Sequence, residues 1–299
     1  MIVTLKNESL TVEIEDVGAQ LASITAKDGT QYLWQGDPAF WGRRSPVLFP
    51  IVGSVWEKKF RVAGREYEMG QHGFARDSRF ELVSASDSEV WYRLESSEGT
   101  LAKYPCSFVL EIGYKLTGAE LQVLWKVTNP SHEEIFFQIG AHPAFNYPDY
   151  DEAKLERGYF VFDGSSKSTC PSQLECIRIC EKGCVDAFSK HPLVLEESGV
   201  LPLDKNTFDI IDTIVLQDSQ VSEVALLRPD RTPYLTVRFD APVVGLWSPP
   251  CKNAPFICIE PWYGRCDRVG FTGDFRDRDW VNTLAPGATF EASYTIVIE

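Results

Sequence analysis

The feature that most constrains this chain is a two-residue alternation of apolar and polar side chains. It recurs almost from end to end, with polar turn segments between the runs. Leu10-Thr11-Val12-Glu13-Ile14-Glu15 is one clear case. Such a run buries one face of a strand and wets the other. Residues 80–83 and 90–95 repeat the pattern around the polar segment 84–89, which predicts a hairpin. Residues 60–67 read as a tight hairpin turning at Gly64, and residues 108–116 and 121–127 as another. Further strands are expected at 135–139, 159–162, 224–227, 234–239, 243–247, 256–259 and 294–298. No stretch sustains a helical period with both caps, so helix is expected only in short pieces near 151–156 and 183–189. Many short strands at regular spacing imply an all-β chain, a large β-sandwich. Without a repeat or linker to divide it, the expectation is one domain over residues 1–299.

Composition limits the partners. Lys and Arg total 29 against 43 Asp and Glu, for a net charge of -14. Binding to nucleic acid or an anionic membrane needs a basic footprint, and the chain offers none. The start, Met1-Ile2-Val3-Thr4-Leu5-Lys6, lacks the basic-then-apolar pattern of an export signal. No apolar run reaches the roughly 20 residues of a membrane helix. A cytoplasmic protein is expected. Its eight cysteines (106, 170, 176, 180, 184, 251, 258, 266) are then read as free thiols. Cys176, Cys180 and Cys184 recur every fourth residue, a spacing unlike that of a zinc ribbon, and no metal site is expected from them.

Four histidines are present. His132 and His191 sit in polar turns, where no catalytic role is expected. His72, in Gln71-His72-Gly73-Phe74-Ala75-Arg76, and His142, in Gly140-Ala141-His142-Pro143-Ala144-Phe145, each follow a strand-like run. A strand end holds a side chain rigidly at a cleft, but spacing alone favours structural histidines at both positions. Glu260 closes the apolar run 254–259 and precedes Pro261-Trp262-Tyr263-Gly264. A carboxylate ending a buried strand costs several kcal/mol unless paired or protonated. It is therefore either held structurally or tuned for chemistry. Trp262 and Tyr263 are either packing residues or flat faces for a sugar ring.

Together these segments resemble the aldose 1-epimerase (galactose mutarotase-like) family, and most closely its LacX-like bacterial branch. The matching motifs are residues 71–76, residues 140–145 and Cys258-Ile259-Glu260-Pro261-Trp262-Tyr263-Gly264. Residues 45–53 (Ser-Pro-Val-Leu-Phe-Pro-Ile-Val-Gly) and Gly245-Leu246-Trp247-Ser248 add to them, so the likeness spans essentially the whole chain. It implies a mostly antiparallel β-supersandwich with its site in a cleft across one sheet. It also implies an isomerase that interconverts the α and β anomers of a hexose without cofactor or metal.

By that resemblance Glu260 is the base at the anomeric hydroxyl and His142 the acid at the ring oxygen. His72 binds the sugar near the ring oxygen. An Asp that binds sugar hydroxyls falls between His142 and Glu260 in sequence. Asp212 fits best because an apolar strand follows it, with Asp209 as the rival. The chain departs from the family pattern at one arginine. Galactose-type members carry it after the glycine of the Val-Gly motif, whereas Ser54 follows Gly53 here. Arg43, Arg44 or Arg76 are candidates to replace it, and Trp262 is a candidate sugar contact. A pair of arginines beside Ser45 also suits a phosphate, so a hexose 6-phosphate is the alternative substrate. A non-catalytic sugar-binding module would not need both an acid and a base. A retaining glycosidase would need two carboxylates about 5 Å apart, and no second carboxylate motif is seen. Neither the particular sugar nor the oligomeric state follows from the sequence.

Overall fold

The computed structural model describes residues 1–164, 173–196 and 199–299. Among these the strands form two large antiparallel sheets and three small ones. In the larger sheet, strand Thr289–Ile298 pairs on one side with Glu120–Thr128 and on the other with Pro233–Phe239. The second large sheet runs His191–Val194, Gln173–Arg178, Thr213–Leu216, Val243–Trp247, Phe256–Tyr263, Ile139–Ala141 and Val47–Leu48, with Ala144–Asn146 also on Phe256–Tyr263.

The core lies between the two large sheets. Ile112, Tyr114, Val123, Trp125 and Leu235 of the first meet Ile214, Leu246, Ile257 and Ile259 of the second in one continuous apolar cluster. Each such side chain, fully buried, contributes about 1.5–3 kcal/mol. Side chains on a strand alternate between faces. Ile257 and Ile259 therefore point into this core, while Phe256, Cys258, Glu260 and Trp262 lie on the opposite face. All eight residues of Phe256–Tyr263 except the last are buried, so both faces of this strand are covered.

The alternating runs fold as the sequence predicts. Strand Leu10–Glu15 keeps its expected bounds. The expected hairpins form between Glu81–Ala85 and Glu89–Glu95, and between Val109–Thr117 and Glu120–Thr128. The turn between Lys59–Val62 and Arg65–Glu68 is made by Ala63 and Gly64, at φ 49° and 78°. The expected run 135–139 is split into Ile135–Phe137 and Ile139–Ala141, which join different sheets.

The helical expectations are corrected. Residues 151–156 form a turn leading into strand Glu156–Phe162, and 183–189 are turns and a bridge. Residues 151–156 are mostly charged, and 183–189 is too short and begins with Gly183, so neither presents the apolar stripe over several turns that would dock a helix. The helical pieces among the described residues are single turns, including Glu98–Leu101, capped by Ser97, and Glu181–Gly183. Cys176 is consequently on a strand, and Cys180 and Cys184 flank a turn, so the three do not share a helix face. Cys170 lies outside the described residues, and the seven described cysteines are free thiols. No described helix is long and apolar enough to cross a membrane.

Candidate active site

Strand register brings the two central groups together. Gly140 pairs with Trp262 across one strand, and Ala144 with Cys258 across the next. His142 lies midway between Gly140 and Ala144, just as Glu260 lies midway between Cys258 and Trp262. The register therefore sets His142 opposite Glu260. His142 Nε2 is 3.4 Å from Glu260 Oε2. Pro143 interrupts the strand at this point, which frees His142 from a continuous ladder.

His72 arrives from a different part of the chain. It adopts φ 65°, a strained conformation for a residue with a Cβ, and such strain clusters at functional sites. A reciprocal clasp holds it: its N–H donates to the Gly53 carbonyl at 2.8 Å, and the Gly53 N–H donates to His72 Nδ1 at 3.1 Å. Because Nδ1 accepts, the proton of the neutral ring sits on Nε2, which is left as a donor. The His72 and His142 rings are 5.4 Å apart, edge to face.

These groups line a cleft of about 320 Å³ together with Trp41, Gln71, Arg76, Asp212, Trp247 and Trp262. Asp212, at φ 60°, accepts hydrogen bonds at Oδ1 from Trp247 Nε1 and Thr213 Oγ1, each at 3.2 Å. Asp209 instead accepts from the Cys251 N–H at 2.7 Å and lines a separate small cavity. Of the two aspartates, Asp212 faces the cleft.

Trp262 lies flat over two glycines. A Cβ on Gly245 would come within 2.4 Å of its ring, and one on Gly140 within 2.7 Å. The indole N–H donates to the Ala141 carbonyl at 3.2 Å. Trp262 is thus a nearly buried floor to the cleft, while Tyr263 turns to the other face and packs edge-on against Trp125. Half-buried aromatic faces belong to Trp41, which stacks on His142 at 4.7 Å, and to Trp247, which meets it edge-on at 5.4 Å. Trp41 stands in a glycine- and proline-containing loop with no period to mark it. The available signal was a large aromatic in a loop.

The arginines divide. Arg76 lines the cleft, and its Nη2 donates to the Gln71 carbonyl at 2.7 Å. Arg43 pairs with Asp77 at 2.9 Å, and Arg44 pairs with Glu15. Both line an adjoining cleft that shares Trp41 and Arg76 with the first. Ser54 lines a third depression beside Lys182.

Burial sets the charges. It pushes the Glu260 carboxyl well above its ordinary range; Trp262 opposes the shift and the charge of Asp212 adds to it. Burial, helped by the positive charge of Arg76, lowers His142 to about 3. His72 is likewise driven well below the usual imidazole range by burial and by His142. Glu260 Oε2 and His142 Nδ1 have no hydrogen-bond partner among the described residues. A donor atom each from His142, Cys258 and Glu260 lie within 4.8 Å of one another, the one group among the described residues with the makings of a metal site.

A paired acid and base in a cleft on one sheet of an antiparallel β-sandwich defines a site for proton-transfer chemistry on a small polar molecule. Comparison with known proteins makes this specific. The aldose 1-epimerase family model matches residues 1–296, and the chain belongs to that family. It is 34% identical over 306 residues to the chromosomal protein LacX of Lactococcus lactis subsp. lactis, covering 100% of this chain and 99% of the relative. The structure of a galactose mutarotase related enzyme from Lactobacillus acidophilus superposes with a TM-score of 0.91 at 30% identity, covering 100% of this chain and 97% of that one. A galactose mutarotase-like protein from Lactobacillus casei gives 0.90 at 30% identity, with both chains fully covered. The fold is therefore the galactose mutarotase-like β-sandwich, and the family supports an isomerase acting on carbohydrate.

Proposed function

We propose that this protein is an aldose 1-epimerase interconverting the α and β anomers of a free hexose. The observation that carries the reading is the 3.4 Å contact between His142 Nε2 and Glu260 Oε2 on the cleft floor. Ring opening needs one proton removed from the anomeric hydroxyl and one delivered to the ring oxygen. At rest, burial favours protonated Glu260 beside neutral His142. Moving that proton across the contact gives a carboxylate and an imidazolium without changing the total charge. Glu260 then takes the anomeric proton while His142 protonates the ring oxygen and the C1–O5 bond breaks. The aldehyde rotates about C1–C2, and the steps reverse on the other face. No metal or redox cofactor is needed by this chemistry.

The remaining residues bind. His72 Nε2–H donates towards the ring oxygen, Asp212 accepts from sugar hydroxyls, and Trp41 and Trp262 supply apolar surface. Arg76 takes the place of the family's missing arginine. Arg43 and Arg44 are already engaged by Asp77 and Glu15, which favours an uncharged sugar. A second reading, a hexose 6-phosphate, draws on Arg76, whose buried Nε makes no hydrogen bond among the described residues and lies 3.7 Å from Asp77 Oδ2. Anomer exchange measured by NMR over free and 6-phosphorylated hexoses separates the two. Turnover of a free hexose at least tenfold above that of its 6-phosphate is expected. The reverse ratio selects the second reading, and no exchange on any member removes both.

A further inference from the structure

We propose that His142 and Glu260 on the floor of this cleft, with Cys258 buried beneath them, form an inhibitory binding site for a thiophilic divalent cation of the zinc type. Cys258 and Glu260 are two apart on one strand, so their side chains emerge on the same face. The register sets His142 opposite Glu260, and the small Ala144 stands opposite Cys258. The three donors are buried and lie within 4.8 Å of one another, with His142 Nε2 and Glu260 Oε2 at 3.4 Å. Tetrahedral zinc, with ligands at about 2.0–2.3 Å, sets its donors about 3.3–3.7 Å apart. The His142–Glu260 edge already has that length, and a movement of about 1 Å at the Cys258 side chain completes the triangle. Beyond its 3.4 Å contact with His142 Nε2, Glu260 Oε2 has no hydrogen-bond partner among the described residues, so an ion between the two replaces that contact and breaks no other.

Charge and donor type select the ion. One thiolate, one carboxylate and a neutral imidazole neutralise a dication, and the protons of the thiol and carboxyl leave to solvent as it binds. A sulfur, a nitrogen and a single carboxylate suit zinc and its neighbours, whereas magnesium and calcium require more oxygen donors. Three protein ligands leave a fourth position open, and His142 and Glu260, which line the cleft, are the ligands an entering ion meets first. The cation would occupy the same atoms that move protons in the proposed reaction. The inhibitory effect rests on that reading; the binding does not.

Cobalt(II), whose bond to a thiolate gives a near-ultraviolet charge-transfer band, is the probe for binding. The expected result is a band saturating at one ion per chain in the wild type and absent in Cys258→Ser and Cys258→Ala. Anomer exchange should be blocked by zinc, with at least tenfold more zinc needed in either variant and basal exchange retained. A band that persists in both variants, or none in the wild type, overturns the site. Anomalous scattering from zinc in wild-type crystals locates the ion without any substitution; density only elsewhere also overturns it. A thiolate band that behaves as expected, in a protein that exchanges no sugar, keeps the metal site and removes the epimerase reading.

Discussion

If His142 and Glu260 share one mobile proton, no acid limb from His142 should appear where histidines ordinarily titrate. The working pair holds one proton more than the carboxylate with neutral imidazole, and one fewer than the carboxyl with imidazolium. The second protonation is set by His142, lowered to about 3 by burial and by Arg76. Were His142 to titrate at the ordinary 6.5 beside a protonated Glu260, kcat/KM would fall about 25-fold between pH 7 and pH 5. With the depressed value, about 99% of the pair is still correctly protonated at pH 5. The alkaline limb, where Glu260 loses its proton, lies above the ordinary carboxylate range because its carboxyl is raised. The assay is polarimetry at constant ionic strength, with spontaneous mutarotation subtracted at each pH. Folding must be followed in parallel. The unfolded histidine binds a proton below 6.5 and the folded one does not until about 3. In the upper part of that window the raised Glu260 carboxyl, which keeps a proton the unfolded chain has lost, offsets His142, so the fall in stability there comes from His72; once pH drops below the ordinary carboxylate range, His142 adds about 1.4 kcal/mol per unit in the same direction. An acid limb with its midpoint near 6.5 in a protein still folded by circular dichroism would refute the shared-proton account.

Two further predictions test the support of the site. Gly245→Ala sets a Cβ within 2.4 Å of the Trp262 ring; it should cost about 1–3 kcal/mol in chemical denaturation and lower kcat by moving the floor beneath Glu260, and an unchanged midpoint with unchanged kcat would show that the glycine is not required. Asp267→Asn breaks the buried pair with Arg278, whose Nε donates to Asp267 Oδ1 at 2.6 Å, and weakens the anchor of the Trp56 N–H on Asp267 Oδ2 at 2.9 Å; stranding the arginine charge should cost about 3–5 kcal/mol in urea unfolding, and a loss below about 1 kcal/mol would mean that Arg278 finds another partner.

Strand positions were legible in the sequence because a half-buried strand advertises itself through alternation, as in Leu10–Glu15. The candidate site was legible chiefly through resemblance: His72, His142 and Glu260 sit in segments that match family motifs, and of the three Glu260 alone, a carboxylate closing an apolar run, called for an explanation on its own. The contacts among them were not legible, because they depend on register. The equal offsets that set His142 opposite Glu260 arise only once strands far apart in sequence have paired. Trp41 was missed because its loop has no period, and its role is created by stacking on a histidine about a hundred residues away. Tyr263 and Trp262 looked equivalent as neighbours, yet alternation sends one to the core and the other to the cleft. Arg44 was readable as a free cation only while its partner Glu15, 29 residues earlier, was out of view.

The most direct test is anomer exchange by Glu260→Gln on the best hexose in the panel. Glutamine keeps the shape of the protonated side chain and can still meet His142 Nε2, so the fold should persist. It cannot take the anomeric proton, and loss of a positioned base typically lowers kcat by about 10²–10⁴-fold. Binding of the sugar, measured by calorimetry, should remain within about tenfold, or about 1.4 kcal/mol, because one hydrogen bond is altered rather than lost. A folded variant that binds hexose but no longer exchanges its anomers is the predicted result. Near-wild-type exchange by Glu260→Gln would contradict the assignment and leave the chain a carbohydrate-binding member of its family.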